Sequence, residues 1–195
     1  MERLILASAS PRRRELLQRI GLNFDVRPSQ VDESNFRDLP PAARVEALAL
    51  AKARAVSATC KVGLVIGADT IVVCQGQVLG KPASPAEAAA MLAFLSGRTH
   101  TVYTGVAVVR APGGDAKFTH ASTEVTFRRL TPAVISAYVA TGEPLDKAGA
   151  YGIQERGALL VEGIKGDYFN VVGLPLVKVV ELLEEFGVNV WGGTV

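Results

Sequence analysis

Two groups of residues in this sequence have types and spacing suited to chemistry. The first is Ser8, Ser10, Arg12, Arg13 and Arg14, directly after the apolar run Leu4-Ile5-Leu6. Ser10 is a good N-cap because its hydroxyl can accept from a free backbone N–H, and Pro11 fits the first helical position, where no N–H is needed. The pattern predicts a strand, a tight turn and a helix. Three arginines then crowd the first turn, where the helix dipole disfavours each cation by about 0.3–1 kcal/mol. Free N–H groups, two hydroxyls and guanidinium forks together make a phosphate site. An isolated arginine run reads more simply as a solvated face. The second group centres on Asp69, which with Thr70 interrupts the apolar run from Leu64 to Val73. An unpaired carboxylate there costs several kcal/mol, so it must meet a cation, a metal or donors, or open onto a cleft. We read it as functional, since such acids concentrate at reaction centres.

Four further residues join these. Lys52 shares a helical stripe with Val45 and Leu48, where it either snorkels out of a core face or reaches a cleft. Lys81 lies in Val78-Leu79-Gly80-Lys81-Pro82, which falls one residue short of a P-loop and has proline where serine or threonine is needed. It remains either a phosphate contact or an ordinary hairpin lysine. Glu33 sits in an acidic, aperiodic stretch, Ser29 to Pro40, and Gln154 in the polar loop Glu143 to Gly157. Such loops either solvate themselves or wrap a ligand. Other catalytic plans lack parts: there are two histidines, His100 and His120, no G-x-S-x-G elbow, no zinc spacing and no G-x-G-x-x-G. An acid in a buried strand, arginines at a helix start and several lysines suit phosphoanhydride hydrolysis. That reaction needs mainly positioning and charge neutralisation around a metal-bridged polyphosphate. Arg12, Arg13, Lys52 and Lys81 would hold the triphosphate. Glu33 and Asp69 are the best candidates to hold Mg²⁺ or Mn²⁺.

The elements that must position these residues follow from periodicity and punctuation. The first helix ends near Gly21, Phe24 to Val26 is a strand, and Pro41 to about Ala58 is a helix. Gln75 to Gln77 turns a hairpin. Ser84-Pro85-Ala86-Glu87 is a capping box for a helix ending at Gly97. His100 to Arg110 and Phe118 to Phe127 form an antiparallel pair, and Thr131-Pro132 opens a helix closed by Gly142. Beyond the polar loop we expect a strand at Ala158 to Val161, a turn at Gly163 to Gly166, and a helix from Pro175 with Leu176, Val179, Val180 and Leu183 inward. The tail Trp191 to Val195 should fray. Hairpins mixed with helices imply an α/β chain with a mixed sheet.

At 195 residues and 49% hydrophobic, the chain can form one well-buried domain or two small lobes sharing a cleft. No apolar run approaches the roughly 20 residues of a membrane span, and Ala7-Ser8-Ala9 lacks the hydrophobic region of a signal peptide. We therefore expect a cytoplasmic protein, with Cys60 and Cys74 as free thiols. A net charge of +2 gives no argument for nucleic acid.

The opening S-A-S-P-R-R-R-E-L-L resembles the signature of the Maf family of nucleoside triphosphate pyrophosphatases. Gly67-Ala68-Asp69-Thr70, Leu79-Gly80-Lys81-Pro82, Leu95-Ser96-Gly97, Glu143 to Gln154, and Asn170-Val171-Val172-Gly173-Leu174-Pro175 resemble its later blocks, in order. The resemblance implies a single domain over 1–195. It also implies a long twisted mixed β-sheet flanked by helices, with two lobes and a central cleft, similar to inosine triphosphate pyrophosphatases. It makes Asp69 the proton acceptor for a water attacking the α-phosphorus, places the matching lysine, Lys52, near the substrate, and marks Arg12, Thr70 and Gln154 as positions where family branches differ. Here they resemble the dTTP/UTP branch, with modified pyrimidine nucleotides as further substrates. A glutamine amide complements the carbonyl and N–H of uracil or thymine, so Gln154 can read that edge. The expected partner is a nucleoside triphosphate, with a homodimer as an option and neither nucleic acid nor membrane. Two other readings stay open: a regulatory nucleotide-binding protein linked to septum formation without turnover, and a nucleic-acid module using the arginine cluster.

Overall fold

The computed structural model describes residues 2–191. Leu4–Leu6 forms strand β1 with all three side chains buried. Ser10 then accepts from the Arg13 N–H at 3.4 Å and starts helix α1, Pro11–Arg19, with proline at its first position as expected. Strand β2 (Phe24–Val26), helix α2 (Pro41–Ser57), strands β3 (Leu64–Cys74) and β4 (Gln77–Leu79), and helix α3 (Pro85–Leu95) follow. The chain continues through β5 (Thr99–Arg110), β6 (Ala116–Phe127), α4 (Pro132–Val139), β7 (Val161–Lys165), α5 (Tyr168–Val172) and α6 (Leu176–Glu185). The serine and threonine caps do what their positions imply: Ser84 accepts from Glu87 N–H and Thr131 from Val134 N–H.

The strands form one seven-stranded sheet in the order β2-β1-β3-β5-β6-β7, with β4 pairing β3. β1 runs parallel to β2 and β3, pairing Ile5 with Asp25 and with Val65, whereas β4 and β7 are antiparallel to their partners. β5 and β6 are neighbours joined by residues 111–115, too few for a parallel crossover, so they make the expected hairpin. The result is the mixed α/β sheet flanked by helices that the sequence implies.

Three local expectations change. Residues Glu155–Leu160 form a 3₁₀ run, and the strand expected at Ala158 begins only at Val161. Of residues 158–160 only Leu160 is buried, while Leu159 is 70% exposed, so the stretch lacks a strand's inward face. Gly163, expected in a turn, lies within β7; β7 ends the strand order, and a glycine on an edge strand is tolerated. In α6 Leu182 is buried, whereas Val180 is only half-buried. The fraying expected of the tail falls, after Trp191, outside the described residues.

The described chain divides into two compact units, one of residues 2–69, 104–121 and 173–191, the other of residues 70–103 and 122–172. The first unit's core joins Ile5, Ala49, Ala53, Val56, Val65, Ala107 and Val109. Small residues dominate it, so α2 can lie close to the sheet. Gly67 and Gly105 complete the approach: a Cβ at Gly67 would stand 2.2 Å from the Ala49 carbonyl oxygen, and one at Gly105 2.2 Å from that of Val45. The second unit packs Leu79, Leu92, Leu95, Val102, Phe127, Ile135, Tyr138, Tyr151 and Leu160. His100 is buried in this unit. It shares a 2.8 Å hydrogen bond with the Tyr151 hydroxyl and meets Phe127 edge-on. Cys60 and Cys74 are buried and unbridged. Among the described residues no helix is long and apolar enough to cross a membrane.

Candidate active site

In the first unit the close packing of α2 on β3 brings Lys52 to Asp69. Its ammonium donates to Asp69 Oδ1 at 2.6 Å and to Glu33 Oε1 at 2.7 Å. The buried acid of the apolar strand thus meets a cation, as its desolvation cost requires. Lys52 itself is little exposed at its side chain, and Glu33 about half exposed. Glu33 stands at the start of a 3₁₀ turn, Glu33–Phe36, which Asp32 caps by accepting from Ser34 N–H at 3.0 Å. Asp32 is thereby held below its ordinary pKa by the hydrogen bonds to Ser34.

Arg13 has a structural task that its sequence position does not reveal. Its Nε donates to the Gly173 carbonyl at 2.8 Å, and its Nη1 to the Ala68 carbonyl at 2.8 Å and to Ser8 Oγ at 3.2 Å. It therefore ties the turn before α1 and the segment before α6 to the residue preceding Asp69. Burial pulls its pKa below the ordinary arginine value; Asp69 and Glu33 oppose that shift and Arg12 adds to it. Ser8 is buried and its Oγ also accepts from Ser10 N–H at 3.3 Å, while Ser10 Oγ serves as the helix cap. Arg12 is half-buried at the second position of α1. Ser8, Ser10, Arg12, Arg13, Glu33, Lys52 and Asp69 all belong to this unit.

Thr70, Lys81 and Gln154 belong to the other. Thr70 follows Asp69 on β3 and is half-buried; Lys81 is exposed just after β4. Gln154 is half-buried and precedes the 3₁₀ run Glu155–Leu160. The polar loop around it is more ordered than its composition suggests. It winds through 3₁₀ turns at Glu143–Asp146 and Ala148–Ala150, and Gly149 N–H donates to the Gly80 carbonyl at 3.0 Å, joining the loop to the Lys81 segment. Glu143 Oε1 accepts from the Tyr138 hydroxyl at 2.8 Å and from Gly157 N–H at 3.1 Å. The Tyr138 oxygen in turn accepts from Gly152 N–H at 3.3 Å. Burial raises the Tyr138 phenol well above its ordinary pKa, so it stays a donor. Sequence reasoning gave neither Tyr138 nor Glu143 a role.

Among the described residues no set of three histidines, cysteines or acids is placed to hold a metal. Two carboxylates, Glu33 and Asp69, do converge on one cation. All-oxygen donors of that number suit Mg²⁺ or Mn²⁺, which commonly use one or two carboxylates with substrate phosphates.

Fold and site together define a mixed α/β protein in which a lysine-paired buried acid lies beside a capped, arginine-bearing helix start. A family model described as "Maf-like protein" matches residues 3–186, and the chain belongs to that family. It is 76% identical over 192 residues to a dTTP/UTP pyrophosphatase of Moorella thermoacetica, covering 98% of this chain and 99% of that protein. It is 54% identical to the dTTP/UTP pyrophosphatase of Symbiobacterium thermophilum, covering 99% and 98%. Among solved structures, the Ham1 protein of Staphylococcus aureus matches with a TM-score of 0.48 and 14% identity, covering 95% of this chain and 97% of that one.

Proposed function

We propose that this protein hydrolyses dTTP and UTP, and modified pyrimidine nucleotides, to the monophosphate and pyrophosphate. The observation that carries this reading is the 76% identity, end to end, with a protein named for that activity. The site supplies a rationale. Asp69, with Oδ1 held by Lys52, uses its other oxygen to take the proton of a water. The water oxygen bonds to the α-phosphorus, the bond from that phosphorus to the bridging oxygen breaks, and pyrophosphate leaves with the electron pair. Arg12, Lys52 and Lys81 counter the triphosphate's charge, with Ser8 and Ser10 at the helix start. Arg13 contributes charge from a position fixed by its carbonyl contacts. Thr70 and Gln154 set the choice of base. Mg²⁺ or Mn²⁺, held by Glu33 and Asp69, would supply further charge neutralisation. The same reading takes residues 1–195 as one Maf-like domain acting in the cytoplasm on a nucleotide, without nucleic acid or membrane, and with a homodimer as an option.

The test is a nucleotide panel with products identified, run with and without added Mg²⁺ or Mn²⁺. Pyrophosphate and the monophosphate should appear from dTTP and UTP only with metal. Orthophosphate with the diphosphate contradicts the bond assignment, and binding without any turnover contradicts the enzyme.

A further inference from the structure

We propose that Glu143 and Tyr138 form a two-residue clamp that presets Gln154, and so act as positioning residues for base selection. The inference rests on the base-reading role proposed for Gln154. Gln154 sits between two backbone N–H groups, those of Gly152 and Gly157, and both end on this clamp: Gly157 on Glu143 Oε1, Gly152 on the Tyr138 oxygen, with the tyrosine hydroxyl bonded to the same Oε1. One foot of the segment that carries the amide is thus pinned to this carboxylate oxygen directly and the other through the Tyr138 hydroxyl.

The packing leaves the segment little alternative. A Cβ at Gly157 would fall 1.8 Å from the Gly152 carbonyl oxygen and 2.7 Å from the Tyr138 hydroxyl. A Cβ at Gly152 would fall 2.7 Å from Lys147 Cε, and Lys147 is itself held by the Glu143 carbonyl at 2.6 Å and by Asp146 at 2.8 Å. Glu155, next to Gln154, is kept at φ +54, in the left-handed region that a side chain disfavours. A strained residue persists where its surroundings over-determine it, and here the clamp supplies those surroundings. The functional need is clear from the amide's chemistry. A glutamine can turn over and exchange donor for acceptor, so it tells uracil from cytosine only if its backbone and neighbours fix it.

The experiment compares kcat/KM for UTP and dTTP with that for GTP in the parent, Glu143→Ala, Glu143→Gln, Gln154→Ala and the double variant Glu143→Ala/Gln154→Ala. Gln154→Ala should narrow the pyrimidine-to-purine ratio about tenfold. Glu143→Ala should narrow it by a similar factor, with the loss falling more on KM than on kcat. The double variant should lose nothing beyond Gln154→Ala. Glu143→Gln keeps an acceptor oxygen for both donors and should restore most of the ratio. Multiplying losses in the double variant, or a Glu143→Gln as damaged as the alanine, overturns the clamp. If Gln154→Ala narrows the ratio and Glu143→Ala does not, the clamp alone falls. If Gln154→Ala leaves the ratio untouched, the base-reading role is wrong and the clamp's purpose goes with it. Should Glu143→Ala fail to fold, Tyr138→Phe, which frees only Gly152 and unlinks the carboxylate, carries the same comparison with an expected narrowing of about threefold; an unchanged ratio overturns the proposal.

Discussion

Asp69 is exceptional because it is a carboxylate where the strand around it asks for an apolar side chain, and the ammonium of Lys52 at 2.6 Å meets the cost of putting it there. Asp69→Asn keeps the shape and removes the base, so turnover should fall by about 10² or more while nucleotide binding is largely retained. Equilibrium binding and steady-state rates on the same variant check it; normal turnover makes Asp69 structural. Arg12→Ala should lower kcat/KM for every nucleotide by similar factors, in contrast to a change at Gln154, because a phosphate contact serves them all. A loss confined to one base would assign Arg12 to base selection instead. The acid and its lysine were legible in the sequence, one as a charge in an apolar run and the other as a cation on a buried stripe. The ties of Arg13 were not, because they end on backbone carbonyls, one of them 160 residues away, and a carbonyl carries no sequence signal. Glu143 was hidden for a related reason: it bonds a hydroxyl and a peptide N–H across a loop with no period.

At the scale of elements, the helices were readable from their caps and prolines, and the longer strands from their apolar runs. What escaped was governed by contacts between elements: a 3₁₀ run whose backbone is crowded at Gly157, and an edge strand whose side chains mostly face solvent. One such contact lies under α2. Gly67→Ala puts a methyl group 2.2 Å from the Ala49 carbonyl oxygen, so α2 must lift and carry Lys52 with it. We expect a loss of about 1–3 kcal/mol in stability together with reduced activity. Gly163→Ala is the control, since nothing lies within 4 Å of its Cβ position. Thermal melts and rates of the two variants decide the matter: equal behaviour would mean that the helix gives way freely.

For the whole molecule, the buried His100 couples stability to acid. Burial lowers its pKa from 6.5 to about 4, so between these values the unfolded chain binds the extra proton and the folded one does not. The contribution is fully present above pH 6.5 and is lost as pH falls towards 4, below which the loss levels off at about 3 kcal/mol. His100→Gln, which keeps an acceptor for Tyr151 without titrating, should be less sensitive than the parent over that interval in urea denaturation at pH 4 to 7; parallel curves would remove His100 from the account. The Arg13–Gly173 hydrogen bond reaches further still, because the two units finish at different times as the chain is made. The unit of residues 70–103 and 122–172 has its whole sequence once residue 172 is joined, while the other still lacks residues from 173 onward. That missing piece supplies both the carbonyl that Arg13 grips and the buried Leu176, Val179, Leu182 and Leu183 of α6. On the ribosome, then, Lys52 and Asp69 are translated long before the Gly173 carbonyl that anchors Arg13 next to Ala68, and a chain stopped at residue 172 lacks that anchor.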